Sequence, residues 1–301
     1  MPRRESTPLL LGAVAALLFV LTAVRPVAAD DETPTPDAAS AVVRGHYVLY
    51  AAGCLACHTA KGDNAKPLAG GLALKTAFGT FYPPNITPDK QTGIGGWTEA
   101  QFAEALTHGV SPDGHPLYPA FPYTSYDGMR PQDVRDLYAY LQTVTPVHNQ
   151  VPANALKFPY SIRSALWVWR WLYFKPQTFK ADPGKSAVWN RGAYLVRNMG
   201  HCGECHTPRN FMGAKEQDKR LMGTASGPEG DQIPNITQDQ QNGIGGWSKK
   251  DLTDFLQSGF LPNGDVVGGS MYDVITDITS HLTDADRDAI ATYLTDLPKP
   301  K

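Results

Sequence analysis

The 301-residue sequence predicts an all-α protein built from two tandem modules that are joined by a linker rich in aromatic residues. Two observations predict this organisation. All four cysteines lie in two copies of one pentapeptide, Cys-x-x-Cys-His, at residues 54–58 and 202–206. The segments around the two copies also repeat each other, and they have the pattern of short helices separated by loops. A repeat on this scale indicates a duplicated structural unit.

The repeat extends over most of both halves of the chain. Three pairs of segments correspond: residues 44–47 and 191–194, 84–87 and 234–237, and 93–97 and 243–247. The second copy has one extra residue, His201, directly before its first cysteine; no motif surrounds it, and we expect it to be structural or at the surface. We therefore predict a first module over residues 41–150, a linker over 151–187 and a second module over 188–301.

Helix signals occur at matching places in both modules. Thr98, Ser248 and Thr283 are expected N-caps, because a hydroxyl can accept a hydrogen bond from a free backbone N–H of the first turn. Gly109 and Gly259 are expected to end the helices that follow the first two of these caps. The predicted bounds are about 42–52 and 188–199 for the first helix of each module, 98–108 and 248–258 for the second, and 131–143 and 283 onwards for the last.

Residues 1–29 have the pattern of a secretory signal peptide. Arg3 and Arg4 precede an apolar run of 16 residues from Leu9 to Val24. This run is shorter than the roughly 20 residues of a membrane-spanning helix. Cleavage is expected after Ala29, with an uncleaved anchor as the alternative, and residues 30–40 are expected to be a flexible linker. The mature chain is then expected in an oxidising, periplasm-like compartment.

The pattern Cys-x-x-Cys-His is the attachment signature of c-type haem. Two thiols three residues apart can bond the two vinyl groups of one porphyrin, and the histidine that follows can then bind the iron. A disulfide framework, a four-cysteine zinc site and a thioredoxin-type pair are the alternatives, but none explains a histidine directly after each pair. The sequence therefore predicts two covalently bound haem c groups. The predicted attachment residues are Cys54, Cys57, Cys202 and Cys205, and the predicted iron ligands are His58 and His206.

Each module resembles class I cytochrome c, over about residues 41–150 and 188–300. The shared features are a helix that leads into Cys-x-x-Cys-His, loops beside the haem, a Gly-Ile-x-x-Trp segment and a closing helix. In that family the tryptophan at this place donates its indole N–H to a haem propionate. The resemblance implies this role for Trp97 and Trp247, and packing in the core is the alternative.

The sequence indicates the sixth iron ligand more clearly in the second module than in the first. Met271 follows a glycine-rich stretch about a dozen residues before the last helix, where a class I cytochrome presents its methionine, and we expect it to bind the second haem. Met129 is the only methionine of the first module, but it aligns with Leu282 rather than with Met271. Phe121 stands nearest to the loop position of Met271. Met129 is the expected ligand of the first haem, with His115, His108 or an open site as alternatives.

Six segments occur in an order similar to that in the cytochrome c subunits of bacterial membrane-bound alcohol, aldehyde and gluconate dehydrogenases. They are residues 78–82, 85–89, 92–97, 118–123, 158–163 and 189–194. Two departures from that family are two haem modules where three are common, and Phe121 where methionine is often found.

The resemblance implies an electron-transfer subunit at the outer face of the inner membrane, and not an enzyme in itself. Its electrons would come from a dehydrogenase catalytic subunit and pass to a quinone, a cytochrome or an oxidase of the respiratory chain. The formal net charge of −2 gives no indication of nucleic acid binding.

Two questions stay open at the level of sequence. The linker is very aromatic around Trp167, Trp169 and Trp171, so it is either a helix packed against the modules or a docking surface for a partner or a membrane, where tryptophan is favoured. The lack of a loop methionine in the first module also allows a dihaem enzyme of the peroxidase or thiosulfate-oxidising type. Such an enzyme would need an open or exchangeable site on the first haem.

Overall fold

The computed structural model of the protein describes residues 36–225, 227 and 230–299, which form one compact unit. The predicted signal peptide, residues 1–29, lies outside the described residues. Eleven α-helices lie within them: α1 Pro36–Ala51, α2 Cys54–His58, α3 Glu99–His108, α4 Tyr123–Tyr126, α5 Pro131–Leu141, α6 Leu166–Tyr173, α7 Ala187–Tyr194, α8 Gly203–His206, α9 Lys249–Ser258, α10 Ser270–Asp277 and α11 Asp284–Thr295. None of the helices within this range is long and apolar enough to cross a membrane.

The helix ends follow the capping residues that the sequence predicts. Thr98 and Ser248 cap α3 and α9, and each accepts a hydrogen bond from the backbone N–H three residues later. Gly109 and Gly259 end these helices in the left-handed conformation, with φ of 61° and 78°. Thr283 caps α11 in the same way.

The first helix begins earlier than predicted. The described part of α1 includes residues 36–40, which belong to the segment 30–40 that the sequence predicts to be a flexible linker. The alanines of this stretch are strong helix formers.

The first and last helices of each half cross at a glycine. A Cβ atom at Gly45 would lie 1.9 Å from the carbonyl oxygen of Asp136, and one at Gly192 would lie 1.9 Å from that of Ala289. Only glycine lets the two backbones approach so closely. The pairs α1/α5 and α7/α11 are therefore equivalent helix crossings, at equivalent places in the repeat.

A small antiparallel sheet corrects the prediction of an all-α fold. Its strands are β1 Leu74–Thr76, β2 Gly79–Phe81 and β3 Ala155–Leu156, in the order β1-β2-β3. β3 comes from the start of the predicted linker and pairs with the first module. Strands of two or three residues are too short to produce an alternating pattern in the sequence, which is why sequence reasoning missed them.

The two halves share one continuous apolar core. Buried residues from both halves belong to the same cluster, among them Val48, Leu137, Val196 and Leu294. Each half therefore contributes an equivalent set of helices, and the apolar faces of the two sets pack together in one core.

Reciprocal hydrogen bonds join the two halves. The Tyr47 hydroxyl of α1 donates to Asp286 of α11 at 2.5 Å, and the Tyr194 hydroxyl of α7 donates to Asp133 of α5 at 2.5 Å. The tyrosines occupy equivalent positions of the repeat, and each aspartate is the third residue of its helix. Such reciprocity is typical of a two-fold interface, here between two halves of one chain.

The segment before the second motif departs from the repeat. α7 continues into a π-helical turn, Leu195–Met199, in which the Gly200 N–H donates to the Leu195 carbonyl five residues earlier at 2.7 Å. His201, the extra residue, has a φ of 41°. A single inserted residue in a helix is commonly absorbed as a π turn. The extra residue of the second half is thus accommodated between α7 and its motif.

Candidate haem-attachment sites

Each Cys-x-x-Cys-His motif forms a short helical turn directly after the first helix of its half. Gly53, with a φ of 66°, redirects the chain between α1 and α2. All four cysteines are free thiols that are partly buried. Burial raises the pKa of Cys54 to about 12 and that of Cys202 to about 11, which keeps these thiols protonated at neutral pH.

The motif histidines are held in one tautomer and one orientation. Nδ1 of His58 donates to the carbonyl oxygen of Pro84 at 2.7 Å, and Nδ1 of His206 donates to that of Pro234 at 2.8 Å. Burial lowers the pKa of both imidazoles. Each ring is therefore neutral and keeps the lone pair of Nε2 for a metal. A metal-binding histidine usually donates the N–H of its other ring nitrogen to a carbonyl or a carboxylate, and this hydrogen bond fixes the orientation of the ring.

The proline carbonyls belong to the repeated Pro-Asn-Ile-Thr segments, whose role sequence reasoning missed. The Asn85 side chain accepts the Thr87 N–H at 2.9 Å, and Asn235 does the same for Thr237 at 2.8 Å. These turns fix the loop that presents the carbonyl. The exact recurrence of the four residues was the signal that could have revealed a shared task.

The residues present fit covalently attached haem better than the alternatives. Two protonated thiols and one neutral, oriented imidazole lie on the same turn in each half. Within the described residues, no group of three or more histidine, cysteine or acidic side chains converges on a common metal position. A four-cysteine zinc site would require such convergence, together with thiolates.

The two motifs lie close to each other. A Cβ atom at Gly53, directly before Cys54, would lie 3.6 Å from Nε2 of His201, directly before Cys202. The Tyr126 hydroxyl donates to the Ala52 carbonyl at 2.6 Å, and the Tyr126 ring contacts the His201 ring edge-on at 5.4 Å between centroids. His201 therefore lies between the two halves, as a structural residue rather than at the surface.

Comparison with known proteins agrees with this geometry. A protein-family model for cytochrome c matches residues 42–145. The chain is 44% identical over 259 residues to a dihaem c-type cytochrome of Cereibacter sphaeroides. The aligned segment covers 85% of each of the two chains. The chain belongs to the cytochrome c family.

Other relatives of this cytochrome are longer than it is. It is 43% identical over 294 residues to the fructose dehydrogenase cytochrome subunit of Gluconobacter japonicus, covering 96% of this chain and 59% of that one. It is 42% identical over 276 residues to the cytochrome c subunit of a quinone-linked alcohol dehydrogenase of Gluconacetobacter polyoxogenes, covering 88% and 58%. The chain thus spans about three fifths of these subunits. The names of these relatives, cytochrome subunits of dehydrogenases, agree with the prediction of an electron-transfer protein.

The two predicted propionate donors lie at equivalent, partly buried places of the cytochrome. The backbone N–H of Trp97 donates to Ile94, and that of Trp247 to Ile244, both at 3.0 Å. Among the described residues, neither indole N–H has a hydrogen-bond acceptor from the protein. This leaves both donors available for a propionate, and that role stays a prediction.

The predicted methionine ligands differ in their surroundings. Met271 is partly buried and is the second residue of α10, whose N-cap Gly269 has a φ of 60°. Met129 is only 3% exposed and belongs to the apolar core, as its counterpart Leu282 does at 6%. Both assignments stay predictions. The prediction for Met129 has less support, because this side chain lies in the apolar core.

The histidines considered as alternatives to Met129 point to the surface. The side chain of His108 is 44% exposed and lies 3.3 Å from the Glu104 carboxylate. That of His115 is 60% exposed and lies 3.7 Å from Asp113. Phe121 is partly buried, with its ring 5.8 Å from that of Tyr126.

Proposed function

We propose that this cytochrome carries two haem c groups and transfers electrons one at a time. The observation that carries the proposal is the motif turn with its histidine held by a proline carbonyl, which is built twice at equivalent positions. Bound haem would supply the one-electron chemistry, which the protein tunes through ligands, burial and hydrogen bonds. The chain's own residues attach each haem, orient its histidine and hold the two motifs next to each other.

The electrons would come from a dehydrogenase catalytic subunit and pass to the respiratory chain. The names of the relatives support this assignment, since they are cytochrome subunits of fructose and alcohol dehydrogenases. The acceptor would be a quinone, a cytochrome or an oxidase. With the predicted signal peptide removed, the mature chain would lie in the periplasm, and we propose that it associates with the outer face of the inner membrane.

Haem stoichiometry tests the two-haem proposal. We expect the purified protein to contain two covalently bound haems by mass spectrometry and by the pyridine haemochrome assay, and to take up two electrons in a reductive titration. The double variant Cys54→Ser/Cys57→Ser should keep one haem, and so should Cys202→Ser/Cys205→Ser. A wild-type protein with a single haem would contradict the proposal.

An exposed aromatic face supports contact with the membrane. Trp169 of α6 is buried and donates its indole N–H to the Met212 carbonyl at 2.8 Å, so this tryptophan anchors the helix. Its neighbours face outward: Trp171 is 80% exposed and Val168 61%. The exposed large apolar side chains of residues 158–173, together called the aromatic face, are Phe158, Tyr160, Ile162, Trp167, Val168, Trp171, Leu172 and Tyr173.

The charges around the aromatic face favour an anionic lipid surface as its occupant. Lys157, Arg163 and Lys175 are exposed along the same stretch. Aromatic side chains beside basic ones are typical of segments that lie in a membrane interface. Basic residues near an anionic surface each contribute about 1 kcal/mol to binding. We therefore propose that this face lies on the membrane.

Vesicle binding tests the aromatic face. The variant Val168→Ser/Trp171→Ser should bind vesicles of phosphatidylglycerol and phosphatidylcholine at least about tenfold more weakly, because burial of one such side chain contributes roughly 1.5–3 kcal/mol. Phe260→Ser, which removes a 56% exposed aromatic ring elsewhere, is the control and should bind as the wild type does. Equal binding of all three proteins in sedimentation would exclude a membrane role for this face.

A dihaem enzyme is the second candidate function. It is favoured by one observation, the core position of Met129, the only methionine of residues 41–150, with Phe121 in place of a loop methionine. A first haem without a methionine ligand would have an open or exchangeable site, as a peroxidase or a thiosulfate-oxidising cytochrome requires.

Substitution of Met129 separates the two candidates. If Met129 binds the first haem, Met129→Ala should lose about half of the far-red charge-transfer band of methionine-bound ferric haem, and the reduced wild type should not bind carbon monoxide. Met271→Ala is the matched variant, and it should lose the half that belongs to the second haem. An unchanged band in Met129→Ala, together with carbon monoxide binding by the wild type, would favour the dihaem enzyme.

A further inference from the structure

Glu204 distinguishes the second attachment motif from the first. It is the residue directly before Cys205, and the equivalent residue of the first motif is Ala56. Because the first motif has no carboxylate at this position, haem attachment would not require one. The Glu204 carboxylate must therefore have another role.

Glu204 lies at the centre of a buried ion cluster. Its Oε1 atom accepts hydrogen bonds from Lys215 Nζ at 2.5 Å, from Thr124 Oγ1 at 3.1 Å and from the Ser125 hydroxyl. Its Oε2 atom accepts one from the Arg209 guanidinium at 2.5 Å. The side chains of Glu204 and Lys215 are only 9% and 13% exposed.

The cluster spans the two halves of the cytochrome. Thr124 and Ser125 belong to α4 of the first half, whereas Glu204, Arg209 and Lys215 belong to the second. Lys215 Nζ also donates to the Ser125 hydroxyl at 2.9 Å. Beside the cluster, the Asn198 side chain of the second half donates a further hydrogen bond to the Ser125 carbonyl of the first half at 2.9 Å. The second motif is thus tied to α4 through its own carboxylate.

Burying these charges has a cost that hydrophobic residues at the same positions would avoid. A buried ion pair is often no more stabilising than apolar residues of the same volume, although removal of one partner is strongly destabilising. All the partners here are satisfied, and they fix one arrangement of the motif against the opposite half. A specific function of the charge therefore explains its presence better than stability does.

We propose that Glu204 is a positioning residue that fixes the second haem-attachment turn against the first half and lowers the reduction potential of the haem held there. This inference rests on the proposed two-haem function. A fixed negative charge beside a haem opposes the addition of an electron, and low exposure to water keeps that effect strong. The first motif, with Ala56, lacks this carboxylate. Lys215 and Arg209 oppose its effect, so loss of the Glu204 charge alone would leave two positive charges without their anion beside the second haem.

Potentials of the two-haem protein test the proposal. Glu204→Gln keeps the shape of the side chain and removes its charge, so the potential of one haem should rise by an amount that corresponds to about a tenfold change in its reduction equilibrium, about 59 mV for one electron. Glu204→Ala, which copies the first motif, should raise it too. Asp254→Asn is the matched control: it removes one negative charge from an exposed ion pair with Lys250 and should move neither potential.

A charge-balanced variant covers the case in which Glu204→Gln folds poorly. Glu204→Gln/Lys215→Met removes one charge of each sign from the cluster, so it should recover thermal stability and bring the raised potential back towards the wild-type value.

Three results are decisive. Two haems with potentials that Glu204→Gln leaves unchanged would overturn this inference alone. A potential that stays equally high in the charge-balanced variant would overturn the electrostatic role. A wild-type protein with one haem would instead contradict the proposed function.

Discussion

The reciprocal tyrosine–aspartate hydrogen bonds are the constraint on which the arrangement of the two motifs depends. Tyr47 and Tyr194 each reach the third residue of the last helix in the opposite half, where the helix N-terminus favours a carboxylate. The backbone N–H of the capping residue of that helix also donates to each hydroxyl, from Thr283 at 3.3 Å and from Arg130 at 2.9 Å. Each tyrosine lies on the helix that leads into a motif. These hydrogen bonds therefore fix the positions of both motifs.

The departures from this symmetry are as informative as the symmetry itself. The second half has the π turn, the extra residue His201 and the buried carboxylate Glu204, all at or just before its motif. The first half has Phe121 where the second has Met271. The symmetric contacts bring two similar sites together, and these local differences make the sites unequal. Two haems of different potential in contact would give an electron a preferred direction.

The sequence predicted what depends on local chemistry. The N-caps Thr98 and Ser248 and the glycine ends of their helices follow from residue types at fixed spacing, and the structure has them as predicted. The π turn was not predicted, although the extra residue that it absorbs was visible in the alignment of the repeats.

Features that depend on long-range contacts were missed. The carbonyl of Pro84 lies 26 residues from His58, and Glu204 meets Ser125 across 79 residues. The ion cluster leaves no local pattern, and the proline carbonyl leaves only the recurrence of its four-residue segment, which does not name its partner. The short strands also escaped, because β3 pairs with a hairpin that lies far away in the sequence. Trp169 and Trp171 looked alike in the sequence, and only packing separates the buried anchor from the exposed ring.

The two attachment motifs are neighbours, so the haems that they would hold should exchange electrons with each other. Electron paramagnetic resonance of the fully oxidised protein detects such proximity. We expect a magnetic interaction between two ferric haems, seen as faster spin relaxation and broader lines than in the summed spectra of the two single-haem cysteine variants. A wild-type spectrum equal to that sum would show two isolated haems and rule out neighbouring sites.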